Sequence, residues 1–191
     1  MADLSAVLDV VRRRGLTHSE TPLELASGEL SRDFIDGKVA LAQGRDLRNA
    51  CELIVAAAAE AGIAFDAAGG MTMGADHLAH GIALVADVEW FSVRKQPKGR
   101  GTDRWIEGTP LRSGVRVLLL EDVVTTGGSM ITALDQVAAT GAEVVLAVTV
   151  VDRGDAARAA FAGRGVPYRS LLSYRDLGIA PVGGGTPATT S

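Results

Sequence analysis

The sequence predicts an α/β fold: a mostly parallel central sheet flanked by helices, with a small N-terminal hood. Three observations predict it. From Ile63 onward, short apolar runs alternate with segments of helical period. The four apolar residues 117–120, after Val115 and Arg116, form a run of the kind buried on both faces of a parallel sheet covered by helices. Of the 191 residues, 47% are hydrophobic but only 4% aromatic, a composition rich in Ala, Val, Leu and Gly that suits tight helix-on-sheet packing.

The elements follow in order. Leu4, Val7, Leu8 and Val11 share one helical face, and Gly15 closes this helix over residues 4–14, an arm or hood against the sheet. Residues 21–38 read as two short strands around the Ser27-Gly28 turn. Leu47, Ala50, Cys51, Ile54, Ala58 and Ala61 make one stripe of a helix over 46–61, with Gly62 just beyond. A short strand over 63–67 runs into the turn Gly69-Gly70-Met71-Thr72-Met73-Gly74-Ala75, and a helix over 76–86 follows. A strand over 89–93, a charged segment over 94–104 and a return strand over 105–108 come next. Then come the apolar strand 115–120, a helix from 130 to 140, a strand over 143–151, a helix over 155–163 and a strand over 168–172. Alternation at this spacing places ligands at the carboxyl ends of the strands. Residues 1–180 read as one domain, with 1–40 as the hood and 94–108 as a lid, and 181–191, containing Gly183-Gly184-Gly185, as a flexible tail.

Charge and composition exclude several classes. A net charge of −4 argues against a nucleic-acid protein, because backbone binding needs clustered excess Lys and Arg. The one cysteine, Cys51, forms no internal disulfide and reads as a packing residue. The N-terminus lacks a basic segment followed by an apolar one, and no apolar run approaches about 18 residues. The expectation is a soluble, cytoplasmic protein that engages neither membrane nor nucleic acid.

The chemistry centres on the end of strand 115–120. Glu121 and Asp122 are followed by Val123, Val124, Thr125, Thr126, Gly127, Gly128 and Ser129, and then by a helix. The glycines let the backbone approach an anion, the amides of the helix start point at it, and the helix dipole favours its charge. Thr125, Thr126 and Ser129 add hydroxyls. Carboxylates accept hydrogen bonds from sugar hydroxyls. One end therefore suits a phosphate and the other a ribose. The stretch has neither the Gly-Lys-Ser/Thr ending of a P-loop nor the spaced glycines of a dinucleotide fingerprint.

Other residues add to this edge. Arg94, Lys95, Lys98, Arg100 and Arg104 stand against one acid, Asp103, in a segment that Pro97, Gly99 and Gly101 make mobile. It reads either as a solvated basic loop or as a lid whose cations neutralise an anionic leaving group. The 69–75 turn cradles a second anion or is a tight glycine turn. Arg153 forms either a bidentate pair with a ligand carboxylate or an ion pair with Asp152 or Asp155. His77 and His80, three apart on a helix, lack a third ligand and read as surface or interface residues. His18 reads as a loop residue, and Trp90 and Trp105 as packing residues.

The strand, acid pair and Thr-Thr-Gly turn at 117–129 resemble the signature of the phosphoribosyltransferases. The resemblance narrows to the orotate phosphoribosyltransferases through Ser27-Gly28, Ser31 to Lys38, the Val93-Arg94-Lys95 to Ile106-Glu107-Gly108 lid, and Asp152-Arg153. It implies the type I phosphoribosyltransferase fold, Mg²⁺ held mainly by the donor 5-phosphoribosyl 1-pyrophosphate (PRPP), with no protein metal ligand assigned, and a homodimer sharing its lids. It implies that Lys98, Asp122 and Arg100 serve catalysis, and that Arg94, Lys95, Lys98, Arg100, Glu121, Asp122 and Val123 to Ser129 bind PRPP. Gly70, Met71 and Thr72 would form the pyrophosphate loop, and Thr125, Arg153 and Phe34 would meet orotate.

The chain departs from the family pattern at three places. Ala26 stands where the family often has lysine, Asp33 replaces the first of two aromatics, and Arg100 replaces the lid histidine. An acid near the base pocket leaves open a phosphoribosyltransferase for another base, a purine or an unusual pyrimidine. A non-catalytic PRPP-binding regulator is a further alternative, disfavoured because the segment before the first long helix is too short and too little basic for a DNA-binding domain.

Overall fold

The computed structural model describes residues 2–25, 27–97 and 104–182. The chain enters through α1 (Leu4–Val10), a wider π turn (Val11–Gly15) and an antiparallel hairpin of β1 (Leu16–Glu24) and β2 (Leu30–Ile35). Asp36 then caps a single helical turn, α2 (Gly37–Ala40), accepting from the amides of Lys38 and Val39. The hairpin is longer than the two short strands expected over 21–38. β1 begins at Leu16 and takes in His18, which is a strand residue rather than a loop residue. Residues 36–38 leave the strand because the Asp36 carboxylate stabilises a helix start there.

After α3 (Gly44–Glu60), six strands form the main sheet: β3 (Ala67–Met71), β4 (Glu89–Val93), β5 (Ile106–Gly108), β6 (Arg116–Val124), β7 (Glu143–Asp152) and β8 (Tyr168–Ser173). Their order is β5-β4-β3-β6-β7-β8, and every pairing is parallel except β5 with β4. The connecting helices are α4 (Asp76–Ala86), α5 (Gly128–Ala138) and α6 (Ala156–Ala162), and α7 (Tyr174–Leu177) follows β8 behind a Ser173–Asp176 capping box.

β6 shows why the sheet is covered twice. Leu118 and Leu120 pack with Ile54, Leu78 and Ile82 on one face, while Val117 and Leu119 pack with Met130, Val137 and Phe161 on the other. All four β6 residues are fully buried, and each leucine contributes roughly 1.5–3 kcal/mol by leaving water.

Two boundaries differ from the sequence reading. β3 begins at Ala67 instead of Ile63 and absorbs Gly69 and Gly70, the first two of the three glycines in the expected turn. A Cβ at Gly69 would stand 2.1 Å from the Phe91 carbonyl oxygen, and one at Gly70 2.1 Å from that of Leu120, so close strand packing requires glycine there. β6 runs on to Val124, which pairs with Asp152, so Glu121 and Asp122 lie inside the strand and not beyond its end. Among the described residues no helix is long and apolar enough to cross a membrane. The tail expected at 181–191 lies beyond the described residues from 183 onward.

Candidate active site

Glu121 and Asp122 are buried at the carboxyl end of β6, with 7% and 6% of their surface exposed. Burial, reinforced by the neighbouring Asp122, pushes the Glu121 carboxyl up to about 8. Gly74 packs directly on the pair: a Cβ there would lie 1.8 Å from Glu121 Oε1 and 2.9 Å from Asp122 Oδ1.

Beyond the acids, the chain turns through Thr125 and Thr126 into Gly127, whose φ of 85° places it in the left-handed region that glycine tolerates. Gly127 offers no side-chain cap to α5, and apart from a long 3.5 Å bond from the Gly128 amide to Thr126 Oγ1 the amides that open its first turn remain available to an anion. Acids, turn and helix start together line a cavity of about 320 Å³. Ser27, Phe34, Lys38 and Arg153 also line it.

Arg153 is 1% exposed, and its guanidinium binds the hood. Nη1 donates to the Asp33 carbonyl oxygen at 2.8 Å and Nη2 to Ser31 Oγ at 3.1 Å. Neither Asp152 nor Asp155 pairs with it: Asp152 accepts from Tyr168 Oη, and Asp155 from Tyr174 and Arg175. Burial lowers the Arg153 pKa from its usual value, partly opposed by Asp33. Its Nε and Ser27 Oγ are buried without a hydrogen-bond partner among the described residues. Such orphaned donors in a cavity wall are groups a polar ligand can satisfy.

Lys38 escaped the sequence reading. Its Nζ lies 3.5 Å from Asp122 Oδ2 and 3.4 Å from Asp36 Oδ1. Burial works against its charge, but the two carboxylates outweigh it and hold its pKa above the usual lysine value. Only the fold brings it to Asp122. The one local signal is Asp36-Gly37-Lys38, where the small Gly37 lets Asp122 sit against the chain: a Cβ at Gly37 would be 2.7 Å from Asp122 Cβ.

The residues expected to form the pyrophosphate loop divide between a strand and a turn. Gly70 and Met71 are buried β3 residues, and the turn proper is 72–75, with a cis peptide between Thr72 and Met73. The Thr72 amide donates to the Val93 carbonyl, so it does not cradle an anion. Thr72 and Met73 instead line a second groove, of about 550 Å³, with Ser92, Arg94, Lys95 and Glu107. Arg94 pairs with Glu107 at 3.2 Å. Lys98, Arg100 and Ala26 lie outside the described residues.

The histidines differ from expectation in part. The ring nitrogens of His77 are buried and have no hydrogen-bond partner among the described residues, and burial lowers its pKa. His80 is exposed and meets Trp90 edge-on at 4.5 Å. Among the described residues no group of three or more His, Cys, Asp or Glu is placed to hold a metal ion.

Comparison with known proteins agrees with this geometry. Residues 44–160 match the phosphoribosyl transferase domain family. The orotate phosphoribosyltransferase of Corynebacterium glutamicum (strain R) is 39% identical over 173 residues, covering 90% of this chain and 91% of that protein. The crystal structure of Mycobacterium tuberculosis H37Rv orotate phosphoribosyltransferase in complex with Fe(III) dicitrate is similar with a TM-score of 0.80 at 35% identity, covering 92% of this chain and 99% of that one. The same enzyme in complex with 5-phospho-alpha-D-ribosyl 1-diphosphate gives 0.76 at 32% identity, with 92% and 99% covered.

Proposed function

Because the chain belongs to the orotate phosphoribosyltransferase family, we propose that it transfers the phosphoribosyl group of PRPP to orotate, forming orotidine 5′-phosphate and pyrophosphate in de novo pyrimidine synthesis. One observation carries the reading furthest. The cavity lined by the acid pair and the uncapped start of α5 is also lined by a buried arginine whose Nε has no hydrogen-bond partner among the described residues. A phosphate, a ribose and a base carboxylate are the three groups that such a cavity complements.

In this reading Val123 to Ser129 hold the 5′-phosphate, Glu121 and Asp122 the ribose hydroxyls, and Arg153, Thr125 and Phe34 the base. Arg94 and Lys95 meet the pyrophosphate, joined by Lys98 and Arg100, while Thr72 only shapes the turn beside it. The base displaces pyrophosphate at C1 through a state with ribosyl cation character. The protein's work is therefore positioning and stabilisation of charge on the leaving group. The Asp33 carboxylate is compatible with orotate because it turns to His18 Nδ1, 2.9 Å away, and does not line the cavity.

Mg²⁺ fits this site as an ion brought by the donor. Hard cations take oxygen ligands, which the pyrophosphate and ribose of the donor would supply, with Asp122 as the carboxylate beside them. Bound there, the ion would screen charge on the pyrophosphate. We further propose one catalytic domain over residues 1–180, a homodimer in which Lys98 of each lid serves the neighbouring site, and a cytoplasmic location.

The test is pyrophosphate release with Mg²⁺, PRPP and, separately, orotate, uracil, hypoxanthine, guanine, adenine and xanthine. Release with orotate alone is expected. Release only with another base would reassign the pocket, and donor binding without release under any condition would favour a regulator. Lys98→Ala should collapse turnover with the fold intact, because a lid cation acts mainly in the transition state. An unchanged kcat would remove Lys98 from the lid role.

A further inference from the structure

The groove beside the cavity contains two hydroxyls, Thr72 and Ser92, and two cations, Arg94 and Lys95. Both hydroxyls are already engaged. Thr72 Oγ1 lies 2.7 Å from Asp76 Oδ2, and Ser92 Oγ is hydrogen-bonded to Asp76 Oδ1. An ionised carboxylate has only acceptors, so each hydroxyl spends its single proton on Asp76 and keeps only lone pairs for anything in the groove. A pyrophosphate oxygen, itself an acceptor, gains no hydrogen bond from them.

The same bonds join three elements. Thr72 belongs to the turn after β3, Asp76 to the first turn of α4, and Ser92 to β4, two residues before Arg94. The Thr72 amide adds a further tie to β4 through the Val93 carbonyl at 2.8 Å. No side chain caps α4. An aspartate in its first turn is favoured by the helix dipole, and here that aspartate spends its oxygens on neighbouring elements.

We infer that Asp76 is a positioning residue for the pyrophosphate end of the site. It locks the 72–75 turn to the strand that leads into Arg94 and Lys95, and it withdraws Thr72 and Ser92 as donors. Anion binding in the groove then falls to Lys95 and to Arg94, whose Nη1 also pairs with Glu107 at 3.2 Å. This rests on the orotate phosphoribosyltransferase reading, which supplies pyrophosphate as the groove's ligand.

The experiment pairs calorimetric titration of inorganic pyrophosphate with steady-state kinetics in which PRPP and orotate are varied in turn, for wild type, Asp76→Asn and Asp76→Ala. Asp76→Ala should raise the pyrophosphate Kd and the PRPP KM together by about tenfold, with the orotate KM unmoved. Asp76→Asn keeps one acceptor oxygen and replaces the other with an NH2 group carrying two donors, and should fall between. Tighter pyrophosphate binding in Asp76→Ala would overturn the inference, since it would mean that the freed hydroxyls and the lost negative charge outweigh any positioning by Asp76. Equal rises in both KM values would also overturn it, by reducing Asp76 to a general structural role. If Asp76→Ala does not fold, the isosteric Asp76→Asn is judged by the same ratio of KM values. Wild-type protein that binds pyrophosphate but never turns over orotate would sink the functional reading alone, leaving the titration to decide on Asp76.

Discussion

Arg153 hydrogen-bonds the backbone of Asp33 and not its carboxylate. Its Nη1 donates to the Asp33 carbonyl oxygen at 2.8 Å, while Asp33 Oδ1 is bonded to His18 Nδ1 at 2.9 Å. The guanidinium is thereby fixed to the hood without a carboxylate partner from Asp33. Its charge stays available to a ligand.

Arg153→Ala should therefore raise the KM for orotate far more than that for PRPP. Losing a buried, hydrogen-bonded charge from a ligand pair costs roughly 2–5 kcal/mol, or about 30-fold and upward in affinity. Kinetics with each substrate varied separately will read this. Equal rises for the two substrates would remove Arg153 from the base pocket.

Glu121 makes stability depend on pH. Its folded pKa, pushed up to about 8, exceeds the ordinary glutamate value of 4.5. Between those two values the folded chain keeps a proton that the unfolded chain has lost, so this group's contribution falls as pH rises. The melting temperature of Glu121→Gln should gain on wild type progressively from about pH 5 to about pH 8. Melts across that range that show a constant difference would exclude the ionisation as the cause.

Gly74→Ala should disturb the acid pair. The new Cβ would stand 1.8 Å from Glu121 Oε1, and displacement of a packed group costs about 1–3 kcal/mol. A lower melting temperature and a higher PRPP KM are expected. An unchanged PRPP KM would show that the ribose site does not depend on this contact.

Gly127→Ala probes the anion turn. Its φ of 85° costs an L-residue about 1–2 kcal/mol, and the added Cβ would lie 3.3 Å from Ala157. The variant should melt lower and lose most of the stabilisation that inorganic phosphate gives wild type. Equal phosphate stabilisation in both proteins would place the anion elsewhere.

Legibility followed the range of the interaction. The apolar stretch of β6, its acid pair, the Thr-Thr-Gly-Gly turn and α5 are continuous in the chain, so period and residue type reveal them. The glycines at 69 and 70 misled, because glycine serves both a turn and a close strand approach, and only the positions of the Phe91 and Leu120 carbonyls distinguish the two. Lys38 stayed hidden because it meets Asp122 from 84 residues away, and Ser31 because it meets Arg153 from 122.

The sequence by itself determined the alternating α/β order, the double-sided core strand and the chemical types gathered at its carboxyl end, since these depend on local period and on residues adjacent in the chain. Tertiary structure alone decided that Arg153 is held by the hood backbone, that the Asp33 charge turns to His18, and that Thr72 and Ser92 give their protons to Asp76. Those outcomes depend on which distant groups meet at hydrogen-bond distance, and that is set by packing of the whole sheet and its hood.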